Sequence, residues 1–454
     1  MILGGTIYES TKKAYGLLTA VAMIIGIVVG SGIYFKADDI LTYTGGSLAL
    51  GLLVLSIGAS NIVFGSLSLS EFAKLETSSG GVVAYLDRFI SSRLATGYGW
   101  FLAFVMIPSV VAVVSWASAI YTGLLFNLDL NLGQQVLLGL AYTLFFMALN
   151  VLSRVLGGYF QTLTMFIKMV PLALIVFAGL FWSAPAPNLP AGVSAIEPSN
   201  VGLGWLSALV PLAFTYEGWN YVVTIAPELK HPKRDLIRAF IIGPLIILLT
   251  YLLFFYGMVR ILGATFVLST GDQAITYALT SLLGERAGNL ILVVVIISML
   301  GVLNGLLLAG MRLPQAYAEK GMLPKGRLEE IHPKYQVSVP SAILFTAITL
   351  VWLLIHYLTQ KFGIMGKGDV SEITIVFNYI FYIILYLRVI KLNREGLASN
   401  RLTSLFAPVM GIIGAALVIG GSLISSLQTT LVFSLLCALV ILTGWLYSKR
   451  QMQN

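Results

Sequence analysis

The stretch from Ala14 to Phe35 contains no charged residue and is long enough to cross a lipid bilayer as a helix. Its last third carries Gly30-Ser31-Gly32, which weakens a helix and permits non-helical backbone. Unpaired backbone groups are tolerated at membrane depth only where protein or a polar cavity satisfies them. The stretch therefore predicts either a broken helix at a binding site or a small-residue packing face.

Composition places the whole chain in the membrane. Hydrophobic residues make up 58% of the 454 residues and charged residues 10%, whereas about a quarter of a soluble protein is charged. The net charge of +8 does not indicate a nucleic-acid partner, because the basic residues lie in loops between apolar segments. The single cysteine, Cys437, excludes an internal disulfide. The sequence predicts a multi-pass protein with the lipid bilayer as its surroundings.

Twelve apolar segments, named spans 1 to 12, can be drawn along the chain. They cover residues 14–35, 47–72, 97–125, 134–152, 160–182, 203–224, 239–262, 288–311, 338–357, 370–390, 404–426 and 429–448. Most Lys and Arg residues fall in alternate loops, the ones that face the cytoplasm when the N-terminus is inside. This bias predicts a protein of the plasma or inner membrane with both termini cytoplasmic.

Enzyme chemistry has no support in the sequence. No loop is long enough to form a catalytic or nucleotide-binding domain, and no GxxxxGK[ST] phosphate loop is present. The three histidines, His231, His332 and His356, are scattered over different loops or span ends and show no metal-ligand spacing. We therefore expect no catalytic residue, no cofactor and no metal site.

A second interrupted segment strengthens the case for a binding site. In span 6, Pro211 and Gly218 flank a polar run that includes Glu217. Spans 1 and 6 are five spans apart, which is where an inverted five-plus-five repeat places corresponding broken helices. This pairing favours a central site over simple packing.

The motifs around these breaks resemble those of the amino acid–polyamine–organocation superfamily, and most closely its bacterial L-type amino acid transporters. The resemblance covers roughly residues 14–395, and its motifs are Gly30-Ser31-Gly32-Ile33, the segments 214–221 and 227–239, Lys168-Met-Val-Pro171-Leu172, the segments 301–305 and 312–314, and His332-Pro333-Lys334-Tyr335. It implies an all-α, LeuT-type fold of twelve transmembrane helices, with helices 1 and 6 broken at mid-membrane. The transporter core would occupy residues 1–395, with repeats at about 14–182 and 203–390, and two additional spans would occupy residues 396–454.

The resemblance also implies a substrate site between spans 1 and 6. Freed N–H groups around Ser31, Gly32 and Ile33 would bind the α-carboxylate of an amino acid. Carbonyl groups near Val28 and in the segment 214–217 would bind its α-ammonium. Glycine allows close backbone approach, and an aromatic ring covers the substrate, so the expected substrate-binding residues are Val28, Gly30, Ser31, Gly32, Ile33, Phe214, Glu217 and Gly218.

Lys168 is the one basic residue within a span, and a buried ammonium at this depth is expected to be functional. In sodium-coupled members of this fold a sodium ion bridges spans 1 and 8. The resemblance implies that Lys168 takes that place by reaching carbonyls near Gly26–Val29, which accompanies sodium-independent transport. A purely structural tether and a proton-coupling group are the alternatives.

Glu217 departs from the best-known animal members, which have a small residue at this place in the motif. Three interpretations remain open from the sequence. The carboxyl group contacts a cationic substrate or the α-ammonium; it couples transport to a proton; or it is structural and caps or pairs within the inner half-helix.

The prediction for function is a sodium-independent L-amino acid transporter that works by alternating access, most simply as an exchanger. The alternatives are a proton-coupled importer of amino acids or polyamines and, from another class, a non-transporting amino acid sensor. Animal L-type transporters join a heavy subunit through a cysteine in the loop between spans 3 and 4. The corresponding loop here, residues 127–133, has none, so we expect no disulfide-linked partner and a prokaryotic protein.

Overall fold

The computed structural model describes residues 15–35, 37–78, 80–284, 287–364, 369–398, 400–425 and 427–451. Within these residues the protein is helical, and ten helices are long and apolar enough to cross a membrane. Two further spans are interrupted helices, which brings the total of the described part to the twelve that the sequence predicts. The fold is therefore all-α and polytopic, as expected.

The observed helices match the predicted spans to within a few residues at most ends. Span 1 comprises Leu17–Val28 and Ser31–Phe35, and span 6 comprises Leu209–Thr215 and Trp219–Glu228. The ten continuous spans, numbered 2 to 5 and 7 to 12, are Leu48–Leu75, Ser92–Leu125, Leu132–Leu152, Arg154–Phe181, Pro232–Leu262, Ala287–Gly310, Val339–Lys361, Glu372–Arg394, Leu402–Ile424 and Leu427–Gln451. Ala14, the predicted first residue of span 1, lies outside the described residues.

Burial separates the inner spans from the peripheral ones. The most apolar window of span 3 is 83% buried inside the protein, whereas that of span 12 is 17% buried. A span surrounded by other helices touches little lipid, while one with long exposed apolar side chains faces the acyl chains. The core therefore lies around spans 1, 3, 6 and 8, and spans 4 and 12 form part of the lipid-facing rim.

Of the two residues that flank the polar run of span 6, Pro211 and Gly218, only Gly218 lies at a break in the helix. Pro211 does not interrupt the helix; it lies in the first turn of Leu209–Thr215, where a missing N–H costs nothing. The break instead lies at residues 216–218, where Gly218 has a φ of 103° that residues with a side chain rarely adopt. After it the chain continues as a 3₁₀ helix, Trp219–Glu228.

The loops contain more structure than hydropathy indicates. In the described ranges five short α-helices connect the spans, and each is too short to leave an apolar signal of spanning length. These helices are Ala37–Tyr43, Val82–Phe89, Ala264–Thr270, Ala274–Leu283 and Leu313–Glu319. The division into a core of residues 1–395 and a remainder of residues 396–454, and the two repeat ranges within the core, stay predictions.

Candidate functional site

An internal cavity lies where the two interrupted spans meet. Five spans contribute to its wall, which is mostly apolar apart from Thr215, Glu217 and Tyr221. The described residues that line it are Ile27, Val28, Gly30, Gly32, Val110, Val114, Phe214, Thr215, Glu217, Gly218, Tyr221, Met299, Val302, Leu306 and Ile375. A largely apolar cavity with a few convergent polar groups is typical of a small-molecule site.

Glycine sets how closely spans 1 and 6 approach at this cavity. A Cβ atom on Gly32 would lie 3.0 Å from the hydroxyl oxygen of Thr215 and 3.3 Å from its Cα atom. A Cβ atom on Gly30 would lie 2.9 Å from a methyl group of Val302 in span 8. All three distances are shorter than ordinary van der Waals contact, so a larger residue at either position has to push the neighbouring helix away.

The end of the inner half-helix of span 1 is tied to span 7. The carbonyl oxygen of Val28 accepts hydrogen bonds from the Gly30 N–H at 2.9 Å and from the Tyr251 hydroxyl at 3.0 Å. The same hydroxyl lies 3.3 Å from the carbonyl oxygen of Thr215 in span 6. Since a carbonyl oxygen has two lone pairs, the Val28 acceptor is fully used within the protein.

Lys168 occupies the junction of spans 1, 5 and 8. Its side chain is 0% exposed. The ammonium group donates to the carbonyl oxygens of Gly26 at 2.8 Å, Val29 at 2.6 Å and Ser298 at 3.2 Å. An ammonium group has three N–H donors, so all of them are satisfied by backbone oxygens. The contact with carbonyls near Gly26–Val29 is the one that the sequence predicts, and Ser298 adds the link to span 8.

Glu217 lies at the break in span 6 and is 7% exposed. One carboxyl oxygen, Oε1, accepts a hydrogen bond from the Tyr382 hydroxyl at 3.1 Å, and that hydroxyl accepts one from the Asn220 amide at 3.0 Å. The other oxygen, Oε2, has no partner among the described residues, and neither has the buried hydroxyl of Tyr221. Both residues line the cavity. Unsatisfied buried polar groups are rare because each costs free energy, so these two indicate a place for a polar ligand or water.

The other predicted site residues fall into three groups. Val28, Gly30, Gly32, Phe214 and Gly218 line the cavity together with Glu217. Ile33 is fully buried in the apolar core and is not among the lining residues. Ser31 begins the outer half-helix, but its side chain lies outside the described part of the structure. Whether these residues bind substrate stays a prediction.

Three tyrosines at the site were not predicted from the sequence as site residues. Tyr251 ties spans 1 and 6 together, Tyr221 lines the cavity, and Tyr382 holds Glu217. Tyr382 belongs to an aromatic-rich stretch of span 10 whose composition indicates packing, and Tyr251 lies in an apolar helix beside Thr250. The available signal was the polar atom of each side chain at membrane depth, which needs a partner.

Comparison with known proteins identifies the family. The model of the amino acid permease family matches residues 15–427. The serine/threonine exchanger SteT of Bacillus subtilis (strain 168) is 30% identical over 440 residues, which cover 95% of this chain and 94% of that protein. The b(0,+)-type amino acid transporter 1 of Mus musculus is 26% identical, over 96% of this chain and 88% of that protein. The Asc-type amino acid transporter 1 of Mus musculus is 25% identical, over 91% and 77%.

The family model spans both interrupted helices and the cavity between them, and each of these three relatives aligns with more than 90% of the chain. A fold of twelve spans with two broken helices around a central cavity agrees with this assignment. The chain therefore belongs to the amino acid permease family and is a multi-pass amino acid transporter of the amino acid–polyamine–organocation superfamily.

Proposed function

We propose that the protein is a sodium-independent amino acid exchanger that works by alternating access. The observation that carries the proposal is the Lys168 ammonium group, which donates to carbonyl oxygens of spans 1 and 8. A sodium ion bridging these spans would need the same oxygen atoms. Because a covalently attached cation already satisfies them, the cycle needs no dissolved cation to join the two spans.

The substrate would lie across the breaks in spans 1 and 6. Its carboxylate would bind the freed N–H groups at Ser31, Gly32 and Ile33. Its ammonium group, or a donor on its side chain, would bind Oε2 of Glu217, since the Val28 carbonyl oxygen already accepts two hydrogen bonds. Phe214 would cover the substrate, and Gly30 and Gly218 would keep the backbone close to it.

The relatives guide the choice of substrate. SteT is named as a serine/threonine exchanger. Serine and threonine would fit a compact cavity with apolar walls. Two polar atoms there, Oε2 of Glu217 and the hydroxyl oxygen of Tyr221, have no partner among the described residues. Serine and threonine are therefore the first amino acids to test, and lysine and ornithine test whether the carboxyl group selects cationic side chains.

The distribution of Lys and Arg supports an orientation with both termini in the cytoplasm of a prokaryotic cell. The loop between spans 3 and 4 has no cysteine, which supports a transporter without a disulfide-linked heavy subunit. Labelling of single cysteines, introduced into a Cys437→Ala background at Asn127 and at Lys325, tests the orientation. Only the first is expected to react with an impermeant reagent added to intact cells.

Exchange is tested with purified protein in liposomes, in sodium-free buffer. Labelled serine or threonine is added to vesicles that are empty or preloaded with unlabelled amino acids. Uptake that requires the internal load and ignores an imposed pH gradient is the expected result. Uptake that requires external sodium would contradict the assignment of Lys168 as a fixed cation.

Proton-coupled import is the second candidate, and Glu217 is the observation that favours it. In the described part of the chain its carboxyl group has no basic partner, and one oxygen is free. A buried carboxyl group without a counter-charge can exchange a proton during transport. Uptake into empty vesicles driven by an inward proton gradient, and lost in Glu217→Gln, would establish this function instead.

A further inference from the structure

Span 12 is held against span 3 by a close approach of two glycines. A Cβ atom on Gly444 would lie 2.9 Å from the Cα atom of Gly97, and a Cβ atom on Gly97 would lie 2.5 Å from the carbonyl oxygen of Ile441. Small residues at such a crossing allow two membrane helices to pack backbone against backbone. The crossing therefore fixes which side chains meet at the ends of these two spans.

Two cations meet on one indole ring beside this crossing. Arg93 lies one turn before Gly97, and its guanidinium carbon is 5.8 Å from the ring centroid of Trp445. Lys449 lies one turn after Trp445, and its ammonium nitrogen is 5.9 Å from the same centroid. Trp445 is half-buried, and Lys449 is exposed. The electron-rich face of the ring attracts cations, and both of these lie within 6 Å of its centroid.

Arg93, Trp445 and Lys449 form a cluster, and its two cations, Arg93 and Lys449, differ from several other cations near the same ends of the spans. Neither Arg93 nor Lys449 forms an ion pair with a carboxylate in the described ranges. By contrast, the following pairs are formed nearby: Lys74 with Glu71, Arg88 with Glu76, Arg312 with Glu228, Lys320 with Asp87 and Arg388 with Glu395. Two positive charges lie near one ring and have no carboxylate partner in the described ranges, so they are available to bind an anion.

The position of the cluster selects the kind of anion. Arg93 is the second residue of the helix Ser92–Phe101, which continues as span 3, and Lys449 lies two residues before the end of span 12. These are the depths at which tryptophan lies at the membrane–water interface and at which basic side chains meet phosphate headgroups. From this placement we propose that Arg93, Trp445 and Lys449 form a binding site for the headgroup of an anionic phospholipid, on the membrane-facing side of the junction of spans 3 and 12.

The site would give the two C-terminal spans a task distinct from the transport cavity. A headgroup bound between Arg93 and Lys449 bridges span 3, which lines the cavity through Val110 and Val114, and span 12, which is mostly surrounded by lipid. The lipid would then hold span 12 against the core, and its removal would weaken that contact without altering any residue of the cavity.

Native mass spectrometry of the detergent-solubilised protein tests the site, with phosphatidylglycerol and phosphatidylcholine as probes. We expect wild type to retain phosphatidylglycerol in preference to phosphatidylcholine. Arg93→Gln and Lys449→Gln should each weaken phosphatidylglycerol binding roughly fivefold, which corresponds to one interfacial cation. Trp445→Phe, which keeps both charges, should weaken it less. Lys334→Gln is the matched control, because Lys334 also lies over an aromatic ring, that of Tyr335, but in a loop.

Two outcomes would overturn the proposal. One is equal retention of phosphatidylglycerol by wild type and the Arg93→Gln/Lys449→Gln double variant. The other is displacement of the lipid by inorganic phosphate alone, which would assign the cations to a soluble anion. Exchange activity of the double variant in phosphatidylcholine vesicles, expected at the wild-type level, shows that the variant is folded.

Discussion

Lys168 and Glu217 are both ionisable and both buried at membrane depth, but the protein satisfies them to different degrees. The ammonium group of Lys168 has a backbone acceptor for each of its three N–H donors. The carboxyl group of Glu217, which lines the cavity, accepts a side-chain hydrogen bond from Tyr382, and its second oxygen has no partner in the described part of the chain. A buried group whose hydrogen bonds are all made within the protein is suited to hold helices together, and one with an unpaired atom is suited to receive a ligand.

The largest expected effect comes from removing Lys168, the group whose donors all have acceptors. Lys168→Ala leaves carbonyl oxygens of spans 1 and 8 without their common donor, and each hydrogen bond to a charged group contributes about 1.5–3 kcal/mol. We expect uptake to fall to background in sodium-free liposomes and the thermal unfolding temperature to decrease. Sodium should restore part of the activity, because the space and the oxygen ligands remain.

Thr162→Val is the control on the same span, since the Thr162 hydroxyl bonds only to the Gly158 carbonyl of its own helix. Normal sodium-free exchange by Lys168→Ala would contradict the contrast between Lys168 and Glu217, because it would show that transport does not require Lys168 to join spans 1 and 8.

The next effect is expected at Gly32, where span 1 meets span 6 between the two groups. Gly32→Val introduces a side chain 3.0–3.3 Å from Thr215, and overpacking of this kind costs about 1–3 kcal/mol. We expect binding of labelled serine or threonine to weaken by about fiftyfold, with membrane insertion retained and the thermal unfolding temperature lowered. Gly16→Val, at a position with no atom within 4 Å of the added Cβ, should bind normally. Retained affinity in Gly32→Val would mean that substrate does not lie across this break.

Glu217→Gln sharpens the other half of the comparison, because it keeps the shape and removes the charge. A hydrogen bond to a charged group contributes about 1.5–3 kcal/mol. We therefore expect KM for exchange to rise by about thirtyfold, with a smaller change in the maximal rate and little change in thermal stability. A uniform rise over all amino acids would assign the α-ammonium to Glu217, and a rise restricted to lysine and ornithine would assign a cationic side chain. Unchanged KM for every substrate would leave Glu217 with a structural role only.

The smallest effect is expected for Tyr382→Phe, which removes the hydroxyl that donates to Glu217 and accepts from Asn220. The hydroxyl is proposed to act only by orienting Glu217, so its loss should cost less than loss of the charge, and KM should rise by about fivefold. If Tyr382 acts by orienting Glu217, the double variant with Glu217→Gln should be no worse than Glu217→Gln alone. Additive losses in this double-mutant cycle would show that the two residues act independently.

The sequence determined the architecture of this protein almost completely. Long apolar segments have one stable form in a bilayer, the helix, so hydropathy gave all twelve spans to within a few residues at most ends. The two breaks were also predictable, because Gly30-Ser31-Gly32 and Gly218 are unusual at membrane depth. Lys168 is a charge within a span and was therefore expected to need acceptors, and the family resemblance implied that these are carbonyls near Gly26–Val29.

Only the tertiary structure decided how the polar atoms at the site are paired. Tyr251, Tyr382 and Ser298 come from spans 7, 10 and 8, far along the chain from the breaks that they contact. Hydrogen bonds depend on distances of a few tenths of an ångström, and residue order does not fix such distances between helices. For the same reason the sequence does not show that the Ile33 side chain lies in the apolar core. Nor does it show that Arg93 reaches Trp445, which depends on the close approach of Gly97 and Gly444.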